Sequence, residues 1–288
     1  MRYGEYILHD NTGRAVIKIF HSRVQQGTRE YRAHHHTECE LSLFMKGSGI
    51  YTLKNRRYEF QSGDAFLFGS NEEHCITVIN DEIDLLNIHF EPRILWEESD
   101  SVELLKLFSD RNNAFSNKFS DEKLAAYILS LEGELKNKSV CFAAMTKYTL
   151  LYALVHIMRS YPYTKNKDTQ PSVSNAAQGL TAAIGYIDTH LSEKLTLKSI
   201  AETACMSPTY FSYVFKRFNG ISPWEYIIIK RVESAVELIK TTDLTKLEIA
   251  ERCGFSSTSN FYKSFVKITG KKPNEFTQKN TTRAEKSL

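Results

Sequence analysis

Over the first ninety residues the chain alternates short apolar runs with polar turns. The runs are Ala15–Phe20, Leu41–Met45, Ile50–Leu53, Ala65–Phe68, Ile76–Ile79 and Ile83–Phe90. Asp10-Asn11, Gly47-Ser48-Gly49, Asn55 and Ser62-Gly63-Asp64 punctuate them. Many short strands at even spacing predict a β-sandwich or small β-barrel. From residue 93 to 160 the period lengthens. Leu124, Ile128, Leu131 and Leu135 recur at helical spacing, as do Tyr148, Leu151, Leu154, Val155 and Met158. Such helices either pack on the β-domain or pair with a second subunit. Residues 162–178, PYTKNKDTQPSVSNAAQ, are polar, hold two prolines and show no period, which is linker composition.

Beyond the linker every segment reads as helix. Ile184, Ile187 and Leu191 share a face, and Ile200, Ala201 and Ala204 mark a second helix near Leu197–Ala204. Cys205-Met206 forms a turn. Ser207 is an N-cap and Pro208 suits the first helical position. The helix it opens has Phe211, Val214, Phe215 and Phe218 on its inner stripe and ends at Gly220. Ser222-Pro223 repeats the device and starts a helix to about Lys240, with Ile228, Val232, Ala235 and Ile239 inward. At 1.5 Å per residue it is a strut of roughly 27 Å. A helix near Lys246–Cys253, a turn at Gly254-Phe255 and a helix from about Thr258 to Thr269 complete the series.

These segments contain one pattern twice. Ile200-Ala201-Glu202 aligns with Ile249-Ala250-Glu251, and Phe211, Phe215, Gly220 and Pro223 align with Phe261, Phe265, Gly270 and Pro273. The offset grows by one in the turn, where an insertion costs little. Two helix-turn-helix units follow, each able to put a helix into a DNA major groove.

Charge supports this division. From Thr181 onward there are 16 Lys/Arg and 11 Asp/Glu, a net of +5 within a chain whose total is +3. The rest is mildly acidic, as expected of a regulatory or oligomerising half beside a nucleic-acid-binding one. Five scattered cysteines without a CxxC pair indicate neither a zinc ribbon nor a disulfide framework and fit reduced thiols. The first residues, MRYGEYILHD, lack the apolar segment of a secretory signal. The apolar stretch Tyr148–Met158 is too short to span a bilayer. A cytoplasmic protein without membrane contact is expected.

On these motifs residues 181–276 resemble the DNA-binding domain of the AraC-type transcription regulators. The residues that carry the likeness are Ile200-Ala201, Ser207-Pro208, Phe211, Phe215-Lys216 and Gly220-x-Ser222-Pro223. In the second unit they are Ile249-Ala250, Gly254-Phe255, Phe261, Phe265, Lys267, Thr269-Gly270 and Pro273. Phe276 is followed by Thr277 where that family has Arg, which removes one backbone contact. The resemblance implies two recognition helices in successive major-groove segments on one face of double-stranded DNA. Thr209, Ser212 and Tyr213 would approach base edges from the first, and Ser259, Asn260, Tyr262 and Lys263 from the second. Asn suits adenine, Lys suits guanine, and hydroxyls suit several bases. Lys216, Arg217, Lys267, Lys271 and Lys272 are assigned to phosphate, which positions without specifying. Each residue alone reads equally as a solvated helix face.

In the first half, His34-His35-His36-Thr37-Glu38-Cys39-Glu40 with Gly47 resembles the first cupin motif. Gly63 to His74 resembles a degraded second one, with Gly69 and Asn71 where the family has Pro and Gly. The fold class expected is therefore α+β. A cupin-like β-barrel with its following helices occupies residues 1–160 and a linker 161–179. An all-α domain of two helix-turn-helix units joined by a long helix follows at 180–280, with a tail at 281–288. Two histidines two apart on a strand share a face. With Glu40 and His74, His34 and His36 can form a 3-His-1-carboxylate site for a divalent metal. The same four residues also read as groups that hydrogen-bond an effector at the barrel mouth, or merely as its polar lining, and regulators of this class mostly sense rather than catalyse. His35 reads as a surface residue. Tyr31, Phe44, Tyr51, Phe66, Phe68 and His89 sit on candidate strands and read mostly as core.

The function expected is a sequence-specific transcription regulator, an activator rather than an enzyme, that responds to a small molecule such as a sugar or metabolite. It would act as a homodimer, pairing through the helices of 121–160, and engage RNA polymerase. The alternative is a metal-dependent cupin enzyme, a dioxygenase or isomerase.

Overall fold

The computed structural model describes residues 2–25, 30, 32–53, 56–96, 104, 106–109, 115–161 and 171–276. Tyr31, Asn55, the first part of the linker and the 281–288 tail lie outside these residues. The chain divides into two compact units, an N-terminal β-rich one and a C-terminal helical one.

The N-terminal unit is a two-sheet structure. Its strands are β1 (Arg2–His9), β2 (Ala15–Val24), β3 (Cys39–Lys46), β4 (Gly49–Leu53), β5 (Arg56–Phe60), β6 (Asp64–Phe68), β7 (Cys75–Ile79), β8 (Ile83–Phe90) and β9 (Lys118–Ser120). Six strands form one sheet in the order β1-β2-β8-β3-β6-β9, and three form the other in the order β5-β4-β7. The six predicted runs are all strands; β1, β5 and β9 are additional.

Alternation along the strands sorts the core into two layers. Leu41, Leu43, Ala65, Leu67, Leu86 and Ile88 face the helices. Phe44, Phe66, Phe68 and Leu85 face the other way, onto Tyr51, Leu53, Phe60 and Ile76 of the small sheet. Phe44 stacks on Phe60 at 3.8 Å between ring centres. Tyr51, Phe44, Phe66 and Phe68 are therefore core residues.

A short helix, α1 (Lys106–Ser109), precedes the longer helices α2 (Glu122–Asn137) and α3 (Phe142–Ser160). Helix α2 buries Leu124, Ile128, Leu131 and Leu135, as the period predicts. Helix α3 differs from expectation. It buries Thr146, Leu150, Ala153, Leu154 and Ile157, so only Leu154 of the expected stripe is fully buried. Tyr148 and Tyr152 are 56% and 57% exposed and, with Met145, line the outer side. Tyr148, Leu151, Val155 and Met158 imitate a core stripe in the sequence, and Thr146, Leu150, Ala153 and Ile157 take the close contact beside Leu154.

Asp121 ties the two helices together. Its Oδ1 accepts the backbone N–H groups of Lys123 and Leu124, capping α2. Its Oδ2 accepts from His156 Nε2 at 2.8 Å and from the Tyr161 hydroxyl at 3.1 Å. Burial tends to raise the Asp121 carboxyl, but His156, the Leu124 N–H and Tyr161 hold it below its ordinary value.

The C-terminal unit contains α4 (Pro171–Thr189), α5 (Leu197–Thr203), α6 (Pro208–Asn219), α7 (Pro223–Thr241), α8 (Lys246–Arg252) and α9 (Thr258–Thr269). Helix α4 begins at Pro171, ten residues before its expected start, so the later part of the linker-like stretch is helical. Pro171 suits a first helical turn, and Ala176 is buried. Helix α7 buries Tyr226, Ile227, Ile229, Arg231, Val232, Ala235, Val236 and Ile239, more than one stripe. Ile228, expected inward, is half-buried. A helix covered on several sides fits a strut between two units.

Asp121→Ala should cost the full chain about 1–2 kcal/mol at neutral pH, the range for a lost N-cap. A carboxyl with a depressed folded pKa stabilises above its unfolded pKa of about 3.9, and that stability fades as pH falls through the folded value. The deficit should therefore shrink below about pH 4, which urea unfolding of both proteins across pH will read.

Candidate nucleic-acid interface and buried histidine cluster

The two helix-turn-helix units match bond for bond. Thr196 caps α5 and Thr245 caps α8, each with a reciprocal capping box, through Ser199 and Glu248. In the turns Met206 N–H donates to Ala201 O and Phe255 N–H to Ala250 O, both at 2.9 Å. Ser207 Oγ accepts from Tyr210 N–H and Ser257 Oγ from Asn260 N–H at the starts of α6 and α9. Gly220 and Gly270 close those helices at φ 72° and 71°. Phe211 and Phe215, like Phe261 and Phe265, are fully buried. Phe218 is only half-buried. Phe276 packs on Phe265 at 5.3 Å, so this aromatic belongs to the core of the second unit.

One turn position separates the copies. The residue forced into the left-handed region is Cys205 (φ 54°) in the first turn and Gly254 (φ 76°) in the second. A Cβ on Gly254 would stand 2.2 Å from Leu191 O and 2.9 Å from an Arg231 nitrogen. Arg231, 9% exposed, projects from the middle of α7. Its Nε donates to Leu191 O at 2.9 Å and Nη2 to Glu193 O at 2.8 Å. It therefore holds the loop between α4 and α5 against the turn of the second unit.

The residues expected to read DNA lie mostly on open surface. Thr209, Tyr213, Ser259, Asn260 and Lys263 are exposed, as are Lys216, Arg217, Lys267, Lys271 and Lys272. Ser212 is half-buried. Tyr262 is half-buried too and leans on Phe261 in the core, so part of its ring is structural. Asn260 Nδ2 donates to Ser256 Oγ at 3.0 Å, which fixes its amide. Glu225, in the first turn of α7, is held below its ordinary pKa by the Ser222 N–H, and then by the charges of Lys267 and Lys216. One lysine from each unit thus lies in the electrostatic neighbourhood of that helix end.

The second candidate site lies inside the N-terminal unit. Glu40, Ser42 and Phe44 alternate with core residues on β3, and Asn87 and His89 do so on β8. Register pairs Glu40 with His89. Glu40 Oε2 lies 2.9 Å from His36 Nε2, 3.1 Å from His89 Nε2 and 3.5 Å from His74 Nε2. Ser42 Oγ donates to the other oxygen at 2.6 Å. The polar seam continues through Asn87, whose Nδ2 donates to Ser22 Oγ, and Ser22, which donates to Glu30. Burial alone would raise the Glu40 carboxyl, but His89 and the hydrogen bonds of the three histidines hold it well below the carboxylate range. Burial lowers His89, and Glu40 offsets part of that; at His74 the partnership with Glu40 outweighs burial and raises it.

The expected ligand set is only partly brought together: His36, Glu40 and His89 form the compact ligand group among the described residues, and His34 and His74 lie outside it. His34 is not on a regular strand. It makes an isolated bridge to His74, and its Nδ1 donates to Arg32 O at 2.9 Å. The two-residue alternation assumed for His34 and His36 therefore does not apply. His89 was placed on a strand by its pattern but not assigned to the cluster. The signal was Asn87-x-His89, two polar residues on one face of a strand otherwise apolar. His35 is exposed, as expected. All five cysteines are free thiols. No helix among the described residues is long and apolar enough to cross a membrane.

A paired helix-turn-helix unit behind a β-rich domain with a buried polar interior defines a DNA-binding regulator with a ligand-binding domain. Residues 17–155 match the AraC-like ligand binding domain family, and residues 200–279 match a helix-turn-helix domain family. The chain belongs to the AraC-type transcription regulators. It is 26% identical over 267 residues to the HTH-type transcriptional activator RhaR of Enterobacter sp. (strain 638), covering 91% of each chain. It is 24% identical over 239 residues to the arabinose operon regulatory protein of Escherichia coli (strain K12), covering 82% of this chain and 79% of that one. Among solved structures, the C-terminal domain of AraT, a response regulator from Geobacillus stearothermophilus, is 37% identical. That match covers 36% of this chain and 84% of that one, at a TM-score of 0.34.

Cys205→Gly should stabilise the protein by about 0.5–1 kcal/mol, because the left-handed strain it relieves exceeds the entropy glycine adds to the unfolded chain. Gly254→Ala should destabilise it by more than that. Thermal unfolding of the pair checks both signs.

Arg231→Met keeps the length of the side chain but leaves two carbonyls without their charged donor. A loss of about 2–3 kcal/mol is expected. Hydrogen exchange should show it as faster exchange in both the Leu191–Leu195 loop and the start of α9.

Proposed function

We propose that the protein is a sequence-specific transcription activator whose N-terminal domain takes a small polar effector and whose two helix-turn-helix units read adjacent major-groove segments. The duplicated, identically capped recognition helices are the observation that carries this reading. Thr209, Ser212 and Tyr213 approach bases from α6, and Ser259, Asn260, Lys263 and the exposed edge of Tyr262 do so from α9. Asn260 is pre-oriented by Ser256, which lowers the entropy lost when it pairs with adenine. Lys216, Arg217, Lys267, Lys271 and Lys272 neutralise phosphates. The shared influence of Lys216 and Lys267 on Glu225 supports one basic surface fed by both units.

The polar seam inside the β-domain favours an effector rich in hydroxyls or charge, a sugar among them. The relative named as the arabinose operon regulatory protein supports that class. The outer side of α3, with Met145, Tyr148 and Tyr152, is the surface we assign to homodimer formation. Contact with RNA polymerase follows from activation. Catalysis is not part of this reading, and the protein acts inside the cell where its DNA is.

Lys263→Ala should weaken binding to the cognate site by about 1–3 kcal/mol while leaving binding to scrambled DNA unchanged. Lys267→Ala should weaken both and flatten the salt dependence. Genomic footprinting supplies the cognate site, and titrations on it and on scrambled DNA read the difference. Equal losses for Lys263→Ala on the two DNAs would remove its base-reading role.

A further inference from the structure

We propose that Tyr210 is a further sequence-reading residue of the first helix-turn-helix unit, and that its ring packs on the 5-methyl group of a thymine in the major groove under α6. The proposal rests on the reading of α6 as a DNA-recognition helix and deepens it by naming one base and the chemistry that selects it.

The duplication points to this residue. Beyond the turn Phe211 falls on Phe261 and Phe215 on Phe265. The residue just before the first of these phenylalanines is Tyr210 in one unit and Asn260 in the other. The backbone repeats as well. Tyr210 N–H donates to Ser207 Oγ at 3.3 Å, and Asn260 N–H donates to Ser257 Oγ at 3.2 Å. Each is the third residue of its helix, since α6 begins at Pro208 and α9 at Thr258. The first turns of a recognition helix are the part that meets base edges. Thr209, Ser212 and Tyr213 hold the places of Ser259, Tyr262 and Lys263. Of the four readers of α9, Asn260 alone has a counterpart in α6 with no part assigned to it.

Chemistry separates the two positions. The Asn260 amide is held by Ser256 and can be bidentate to adenine. Tyr210 has no amide, and the first unit has no residue in the place of the inserted Ser256. It offers a flat apolar ring with a hydroxyl at its tip. The buried stripe of α6 runs beside it through Phe211, Val214 and Phe215, yet Tyr210 itself is 47% exposed. Tyr213, one turn on, is 60% exposed, and residues three apart share a helix face. Two tyrosines thus lie together at the start of a helix whose other exposed residues include Thr209, Lys216 and Arg217.

The 5-methyl of thymine is the apolar group that a base pair presents in the major groove, and apolar side chains are its partners. Covering one methyl is modest in energy but strict in identity, because cytosine lacks it. A contact between the Tyr210 hydroxyl and phosphate would carry no sequence information.

The test uses the full chain and the cognate DNA that genomic footprinting supplies. Each thymine of the site is replaced singly by deoxyuridine, which removes one methyl and leaves base pairing intact. For the wild-type chain one of these replacements should weaken binding about threefold to fivefold, the worth of about one buried methyl. Tyr210→Ala should bind the unmodified site more weakly by a similar factor and be indifferent to that uridine. Tyr210→Phe should keep the sensitivity, because the hydroxyl is not used. Asn260→Ala should weaken binding and also keep it, which assigns the coupling to Tyr210. Near-UV circular dichroism identifies folded variants, and the uridine scan on the wild-type chain needs none. A wild-type chain indifferent to every uridine overturns the proposal. So does a wild-type uridine loss that persists unchanged in Tyr210→Ala. Equal losses for Tyr210→Ala on cognate and scrambled DNA mark a phosphate contact and overturn it too. Specific binding without any uridine effect sinks the role of Tyr210 alone, whereas a chain that prefers no site over scrambled DNA sinks the regulator reading beneath it.

Discussion

The grip of Arg231 on two loop carbonyls is the contact on which the paired DNA-reading units depend. A guanidinium buried in the middle of α7 is expensive to desolvate. Burial pulls its pKa down, yet it stays a cation because Leu191 O and Glu193 O accept its hydrogens. Those carbonyls belong to the loop that leads into the first unit. The Leu191 carbonyl it holds, and then the guanidinium itself, leave so little room that the second turn must be glycine at 254. One side chain on the connecting helix thus registers the entry to one unit against the turn of the other. Hydrophobic packing on α7 supplies most of the burial, but it is non-directional. The directional bonds set the register.

The N-terminal domain meets the opposite demand, since it must keep polar groups inside. Strand alternation makes this possible. On β3 and β8 every second residue serves the helix-facing core, so the other set can turn polar without dissolving the fold. Glu40, Ser42, Asn87 and His89 use that freedom and meet each other across the β3–β8 register. Farther along the same strands Phe44 and Leu85 seal the interior with Tyr51, Phe60 and Phe66. The low dielectric that strengthens the Glu40–histidine contacts also makes an unmet atom costly. His74 Nε2 (at 3.5 Å from Glu40 Oε2), His21 Nδ1 and Asp84 Oδ1 are the buried atoms least well met there.

Much of this was legible in the sequence where chemistry and period were local. The six apolar runs became strands, and the Ser/Thr-Pro and Gly signals placed the helix ends within a residue or two. Strand β5 was hidden because Arg56, Arg57 and Glu59 leave Phe60 as its one fully buried residue. On α3 the period was read from Tyr148, Leu151, Val155 and Met158, which flank a seam built from Leu150, Ala153, Leu154 and Ile157. The cluster was half legible. His36, Glu40 and His74 lie in recognisable motifs, but His89 joins through a pairing between residues 49 apart, which no local pattern contains. His34 was misplaced because the chain is not a strand at that point.

Duplication did not leave two interchangeable units. The same turn must visit the left-handed region in both, and the copies solve it differently. The first tolerates Cys205, which carries steric strain there. The second has Gly254 pinned under Arg231 and Leu191 O, where any side chain would collide. The second recognition helix also has its Asn260 amide held by Ser256, the residue inserted relative to the first copy. Its presentation is therefore fixed at the turn by Leu191 and Arg231 and at Asn260 by Ser256. The first has a strained turn at Cys205, while each helix has one half-buried candidate reader, Ser212 in α6 and Tyr262 in α9. Sequence discrimination should accordingly concentrate in the segment under α9, with α6 contributing more through its position on the backbone than through the bases it meets.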